Sequence, residues 1–191
     1  MQMSKEDIID YFHRFIFGFI CHDIERCIEA RANYVVALAL LSYTEFIGGL
    51  ISGNLGLKDK GISNRNFKKA LKYFPKEYKD IDSSLKVEYK DKNGKTQTET
   101  GIYFLFRCGM VHEYFIKGHP TIVYNDPYGP TQKHIGIIKT NGKFEFHTNE
   151  YFRDFRLAVE KIYKMLVVDS NPKLLEGFNK SLDRISSRKI I

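Results

Sequence analysis

"YVVALALLSYTEFIGGLI", residues 34–51, is the most apolar run in the chain. Its reading decides between a membrane span and a buried core helix. Its length is at the lower edge of what crosses a bilayer. Ser42, Thr44 and Glu45 interrupt it, and a carboxylate at the bilayer centre is costly. The run therefore reads as a core helix over 33–50, capped by Asn33 and ended or loosened by Gly48-Gly49. It is apolar nearly all round, so it belongs at the centre of a bundle, covered on most sides. Glu45 is the exception. A carboxylate on such a helix needs a cationic or hydrogen-bonding partner, and Arg107 is the candidate.

The flanking segments supply helices to cover it. Residues 5–31 read as one long helix, or two with a bend, started by Ser4 with Asp7 three residues on. Ile8, Phe12, Phe15, Phe19, Ile20, Ile24, Cys27 and Ile28 form its apolar stripe, and Gly18 weakens its middle. Residues 52–66 read as a loop, 65–74 as a helix ending before Pro75, and Asp82 or Ser83 as the start of a short turn or helix. Asn93-Gly94 lies between polar alternating flanks and marks an exposed hairpin or a loop. Residues 101–115 are apolar enough for another core helix. After Pro120, "TIVYND", "HIGIIKT" and "KFEFHT" look like short strands, with Asn141-Gly142 as a hairpin turn. Thr148 or Asn149 caps a helix over about 150–167, and Pro172 opens the last one, about 172–187.

The chain has 191 residues, enough for one domain with a sizeable core. With 15 Phe and 12 Tyr but no Trp, rings carry much of that core. Three cysteines (Cys21, Cys27, Cys108) fit no zinc spacing and read as reduced thiols of a cytoplasmic protein. The start, "MQMSKEDIIDYF", is too acidic and polar for a signal peptide. The six histidines are scattered without ligand spacing, so no metal or cofactor is expected. The net charge of +7 is uneven: residues 57–99 hold 12 Lys/Arg against 7 Asp/Glu, whereas 1–56 hold 4 against 7. A basic middle segment concentrates polyanions such as RNA; a solvated lysine-rich surface gives the same count.

"RCGMVHEY", residues 107–114, places Arg107, His112 and Tyr114 within one apolar segment. On a straight α-helix, residues five apart point about 140° from each other, at about 100° per residue. Arg107 and His112 then share a face only if the helix bends or ends between them, which Gly109 permits. Arg107 and Tyr114, seven apart, do share one. Spacing alone supports a satisfied core histidine, with Arg107 bound to Glu45 or a carbonyl, at least as well as it supports a reaction site.

The order Arg107, four residues, His112, one residue, Tyr114 resembles the Arg-x4-6-His motif of the HEPN superfamily. The tyrosine two residues after the histidine is similar to HEPN toxins paired with nucleotidyltransferase antitoxins. The resemblance implies a mainly α fold, an HEPN-like helical bundle of four or more helices. Here it forms a single domain over 1–191 with a small β-hairpin insertion at about 121–147. It also implies a metal-independent endoribonuclease, active as a homodimer whose two motifs meet across a two-fold axis, in toxin–antitoxin or phage-defence biology. In that chemistry His112 is the acid/base toward the 2′-OH and the leaving oxygen. Arg107 stabilises the phosphate. Tyr114 is the position a partner nucleotidyltransferase modifies. RNA, a second copy and such an antitoxin are the implied partners, and no membrane is. Cys108 stands where the family often has a polar residue, and the insertion is not part of a minimal HEPN domain. Both motivate the alternative of a non-catalytic HEPN-like module that binds a nucleotide, nucleic acid or protein.

Overall fold

The first helix begins where its cap places it. In the computed structural model, which describes residues 3–90, 92–113, 120–123 and 134–187 (backbone alone for 112 and 113), Ser4 and Asp7 close a capping box. Ser4 Oγ accepts from the Asp7 N–H at 3.1 Å, and Asp7 Oδ2 accepts from the Ser4 N–H at 3.0 Å. Helix α1 (Lys5–Tyr11) runs without a break into a π-helical stretch, Phe12–Cys21, and then into α2 (His22–Glu29). The buried residues include Ile8, Phe12, Ile16, Ile20 and Ile24, four apart, with Cys21 beside Ile20. This corrects the stripe read from 3.6-residue periodicity: Phe15 and Phe19 are 49% and 62% exposed, and Ile16 is buried instead. The i→i+5 turn is wider than the α turn and advances less than 100° per residue. A mixed helix can therefore hold a strict four-residue spacing on one side. Gly18 sits where a Cβ would meet the His13 carbonyl five residues back at 2.8 Å.

Helix α3 (Asn33–Ser52) packs against α2, α4 (Ile62–Leu71), α7 (Thr148–Val167) and α8 (Pro172–Ser186). It is the central helix expected from its composition. Among the described residues it is the one helix long and apolar enough to cross a membrane, and 56% of its most apolar window is buried against the rest of the protein. Its caps differ from the expectation. Ala32 is the N-cap, without a side-chain bond, and Asn33 lies inside the helix. Gly48 and Gly49 are helical, and Gly53 at φ +71° ends the helix. The pair serves close approach. A Cβ on Gly48 would lie 1.7 Å from the Asn66 carbonyl oxygen, so α4 (Ile62–Leu71) crosses backbone to backbone. Gly177 in α8 (Pro172–Ser186) does the same toward the Ile51 oxygen at 2.2 Å. Thr44 is satisfied internally, donating to the Leu40 carbonyl at 2.8 Å and meeting the Tyr151 hydroxyl at 3.1 Å.

Helix α5 (Glu77–Ser84) starts earlier than expected. Asp82 and Ser83 lie in its last turn and do not open it. Asp82 instead accepts from the Ile102 N–H at 2.8 Å and so caps the segment that follows the hairpin. That hairpin, β1 (Lys86–Lys90) and β2 (Thr96–Thr100), is antiparallel, with Tyr89 opposite Gln97. A second π-helical stretch, Tyr103–Cys108, leads into α6 (Gly109–Glu113). It buries Tyr103, Leu105 and Phe106, with Ile102 before it and Met110 after it also in the core.

The second sheet has the order β3-β5-β4. Strands β4 (Ile137–Thr140) and β5 (Lys143–His147) form the expected hairpin, turning at Asn141 (φ +50°) and Gly142 (φ +80°). Strand β3 (Thr121–Val123) pairs parallel to β5, so this is a three-stranded mixed sheet, more than a hairpin. Parallel pairing needs a crossover connection, and local sequence gives no sign of it. Helix α7 (Thr148–Val167) follows β5 directly. His147 is its N-cap position, without a side-chain bond, so neither Thr148 nor Asn149 caps it. Phe146 stacks on Tyr151 at 4.7 Å and meets Phe106 at 5.7 Å, which seats the sheet on the core. Pro172 opens α8 after Asn171, whose side chain accepts from the Leu174 N–H at 3.2 Å.

Candidate functional site

Arg107 is the one member of the motif whose side chain the structure describes. Its π-helical stretch packs on α3 and α4. Phe106 faces the core, and the next residue emerges at the edge, 21% exposed. There Arg107 Nε lies 3.0 Å from Glu45 Oε2. Both atoms are buried and neither makes a well-directed hydrogen bond, so the contact is an ion pair at close range. The expected reach of Glu45 toward Arg107 is what the structure shows. Among the described residues the two terminal nitrogens of Arg107 have no partner. The guanidinium carbon lies 5.8 Å from the centre of the Tyr103 ring, in cation–π range. Burial raises the Tyr103 phenol to about 12, so it stays neutral at physiological pH.

The bend that Gly109 would permit is absent: its φ and ψ, −59° and −47°, are helical. What changes between Arg107 and His112 is the helix type, wide-turned up to Cys108 and α from Gly109 on. His112 lies in α6 by its backbone; its side chain and all of Tyr114 lie outside the described residues. Tyr34 anchors α6 by donating to the Met110 carbonyl at 2.7 Å.

Beside the ion pair is a cavity of about 250 Å³ between α3, the loop after it and the start of α4. Ser42, Glu45, Asn54, Asn66 and Arg107 give it polar walls, and Phe46 and Leu57 apolar ones. Asn54 Nδ2 donates to Asn66 Oδ1 at 3.2 Å. Lys58, Asp59, Lys60 and Arg65 are exposed on the loop after α3 and the first turn of α4, next in sequence to the wall residues Leu57 and Ile62. The leading part of the basic segment is thus contiguous in sequence with the cavity wall. A little further along, Lys69 is lowered by burial and then by Lys72 and Lys173, which marks a cluster of cations shared by α4 and α8.

A larger groove of about 550 Å³ lies between the first π-helical stretch and α7, with His13, His22 and Tyr163 on its walls. Arg156 in it is bracketed by Glu25 at 2.9 Å and Glu160 at 4.0 Å. Its fixed charges sum to a negative value, which does not suit a polyanion.

Sequence reasoning missed a buried polar network. Asp154, 1% exposed, accepts from the Tyr78 hydroxyl at 2.8 Å, the Gly136 N–H at 3.1 Å and Arg153 Nη2 at 2.8 Å. Tyr78 also accepts from Gly136 at 2.9 Å, and burial holds its phenol well above the usual tyrosine range. The network ties α5, the second sheet and α7 together. Its one legible trace is an aspartate on the apolar face of α7, one residue before Phe155. All three cysteines are free thiols. Among the described residues no three His, Cys, Asp or Glu side chains gather as a metal-binding group.

No protein-family model matches the chain, and no curated protein or solved structure does.

Proposed function

We propose that the protein is an RNA-cleaving domain of HEPN type, with Arg107 holding the scissile phosphate and His112 moving the protons. The observation that carries this reading is the way Arg107 is held. Glu45 pairs with its Nε side at close range, which keeps the guanidinium beside the cavity and leaves both terminal nitrogens for an incoming phosphate. A forked, permanently charged group suits the non-bridging oxygens of a phosphodiester, and its hold strengthens as charge develops there. The lysine-rich rim draws the polyanion in. RNA brings its own nucleophile. An imidazole of His112 takes the 2′-OH proton as O2′ bonds to phosphorus. The P–O5′ bond breaks, and a proton passes to the leaving oxygen. The products are a 2′,3′-cyclic phosphate and a 5′-hydroxyl. In this reading two chains pair so that two motifs form one site, and Tyr114 is the position at which a nucleotidyltransferase-type antitoxin blocks it.

The test is incubation of RNA with the wild type, Arg107→Ala and His112→Ala in the presence of EDTA. The wild type is expected to leave cyclic-phosphate ends and each variant to lose at least about a hundredfold in rate, the scale of a general acid–base or phosphate-stabilising group. Equal cleavage by all three overturns the reading. The ion pair also supports the second reading, a non-catalytic HEPN-like module, because Glu45 cancels much of the charge of Arg107. That reading expects RNA retained on a gel and recovered intact.

A further inference from the structure

We infer that the cavity beside Arg107 is a nucleobase pocket, which seats one base of the RNA next to the bond being cut. The inference rests on the reading of Arg107 as the phosphate-holding group and adds a specificity element to it.

Charge decides the class of ligand. Glu45 and Arg107 pair at 3.0 Å and both belong to the cavity wall, so the fixed charge inside is close to zero. A phosphate placed within it would meet the Glu45 carboxylate. An uncharged group with donors and acceptors would meet complementary partners. The size sets a second limit. At about 250 Å³ the cavity falls below the roughly 300–1,000 Å³ of pockets that take drug-sized ligands, so it suits one ring system and no more.

The walls set a third. Asn66, 5% exposed, accepts from one N–H of Asn54 and so fixes that amide in place. The Asn54 carbonyl oxygen and its second N–H have no partner among the described residues. A fixed amide presenting a donor beside an acceptor is the group that reads a base edge in pairs of hydrogen bonds. The Ser42 hydroxyl adds a further donor or acceptor, and Phe46 and Leu57 offer apolar surface to the faces of a ring. Arg107 borders the same cavity, so a phosphate on Arg107 and a base in the pocket belong to one nucleotide or to neighbours.

The experiment titrates the full chain with the four ribonucleosides, which carry no phosphate, and follows the Asn54 side-chain amide by NMR. RNA cleavage is measured in parallel on an oligonucleotide pool read by sequencing. One nucleoside is expected to shift the Asn54 amide in preference to the others, and the same base is expected beside the cleavage site. Asn54→Ala should weaken that nucleoside about tenfold, the loss of roughly one net hydrogen bond. Ser42→Leu, which fills the cavity without touching the Asn54–Asn66 bond, should abolish the binding. No shift with any nucleoside, or shifts that persist with the cavity filled, overturns the pocket. Cleavage without base preference and without nucleoside shifts removes the pocket and leaves the ribonuclease. Selective nucleoside shifts without cleavage keep the pocket as a base-binding site and remove the ribonuclease.

Discussion

At the scale of single residues, the Arg107–Glu45 pair makes a demand that few side chains meet. In the proposed reaction the side chain at 107 is held on one side by Glu45 while its other side faces a phosphate. Lysine has one compact ammonium and can satisfy one of the two at a time. Arg107→Lys is therefore expected to keep most of the RNA affinity, which follows charge, and to lose at least about tenfold in single-turnover cleavage as the fork is lost. Glu45→Gln leaves the fork in place and frees its orientation, so its cleavage defect should be the smaller. Both side chains are about one-fifth exposed, between a surface pair worth about 0–1 kcal/mol and a buried one. A stability loss of roughly 1 kcal/mol in urea denaturation is expected for Glu45→Gln. Wild-type cleavage by Arg107→Lys would contradict this account. The pair was legible in the sequence because Glu45 is the lone charge on an otherwise apolar helix, and such a group must find a partner. The Asn54 amide was not legible, because nothing local distinguishes it from the other polar residues of the 52–66 loop.

At the scale of elements, the helices were found and their internal geometry was not. Period counting assumes about 100° per residue. It exchanged Phe15 and Phe19 for Ile16 because the turn widens over Phe12–Cys21. The same assumption gave 140° between Arg107 and His112; the wide turn ends at Cys108 and α6 (Gly109–Glu113) keeps the ordinary step over the rest of the interval, so that angle is only slightly reduced. The glycines of α3 misled in a related way. In sequence Gly48-Gly49 looks like a stop signal; in the fold it is the floor on which α4 lies. These two uses of glycine predict opposite kinds of damage. Gly48→Ala drives a methyl group into the Asn66 carbonyl, 1.7 Å from its Cβ position. Backbone must move, at a cost of about 3 kcal/mol or more. Gly94→Ala meets open space but keeps φ near +73°, and should cost about 1 kcal/mol through the left-handed backbone alone. Chemical denaturation curves with equal slopes would rank the two, and a Gly48→Ala protein as stable as Gly94→Ala would refute the close crossing. The parallel partner of β3 and the Asp154 network were hidden for another reason: each joins segments far apart in sequence, and no local pattern encodes such a meeting.

At the scale of the whole molecule, charge and position converge on one face. The sequence showed that the basic excess lies in residues 57–99, and the fold adds that its leading part, Lys58, Lys60 and Arg65, is exposed on the loop and first turn whose Leu57, Ile62 and Ser63 line the cavity of Arg107. A solvated lysine-rich surface and a nucleic-acid track differ in what salt does to them. If these three cations each neutralise a phosphate, the logarithm of RNA affinity should fall with the logarithm of salt, each contact adding about 0.7 to the slope for a single strand. Replacing all three by alanine should then reduce the slope by about 2 and weaken binding at low salt far more than at high salt. Alanines at Lys139 and Lys143, on the β4–β5 hairpin and outside the cavity wall, should leave the slope unchanged. Equal slopes for the two sets would mean that RNA, if bound, approaches elsewhere, and would separate the lysine-rich rim from Arg107. A reduced slope for the rim alone, with cleavage still dependent on Arg107, would join capture and chemistry on a single surface.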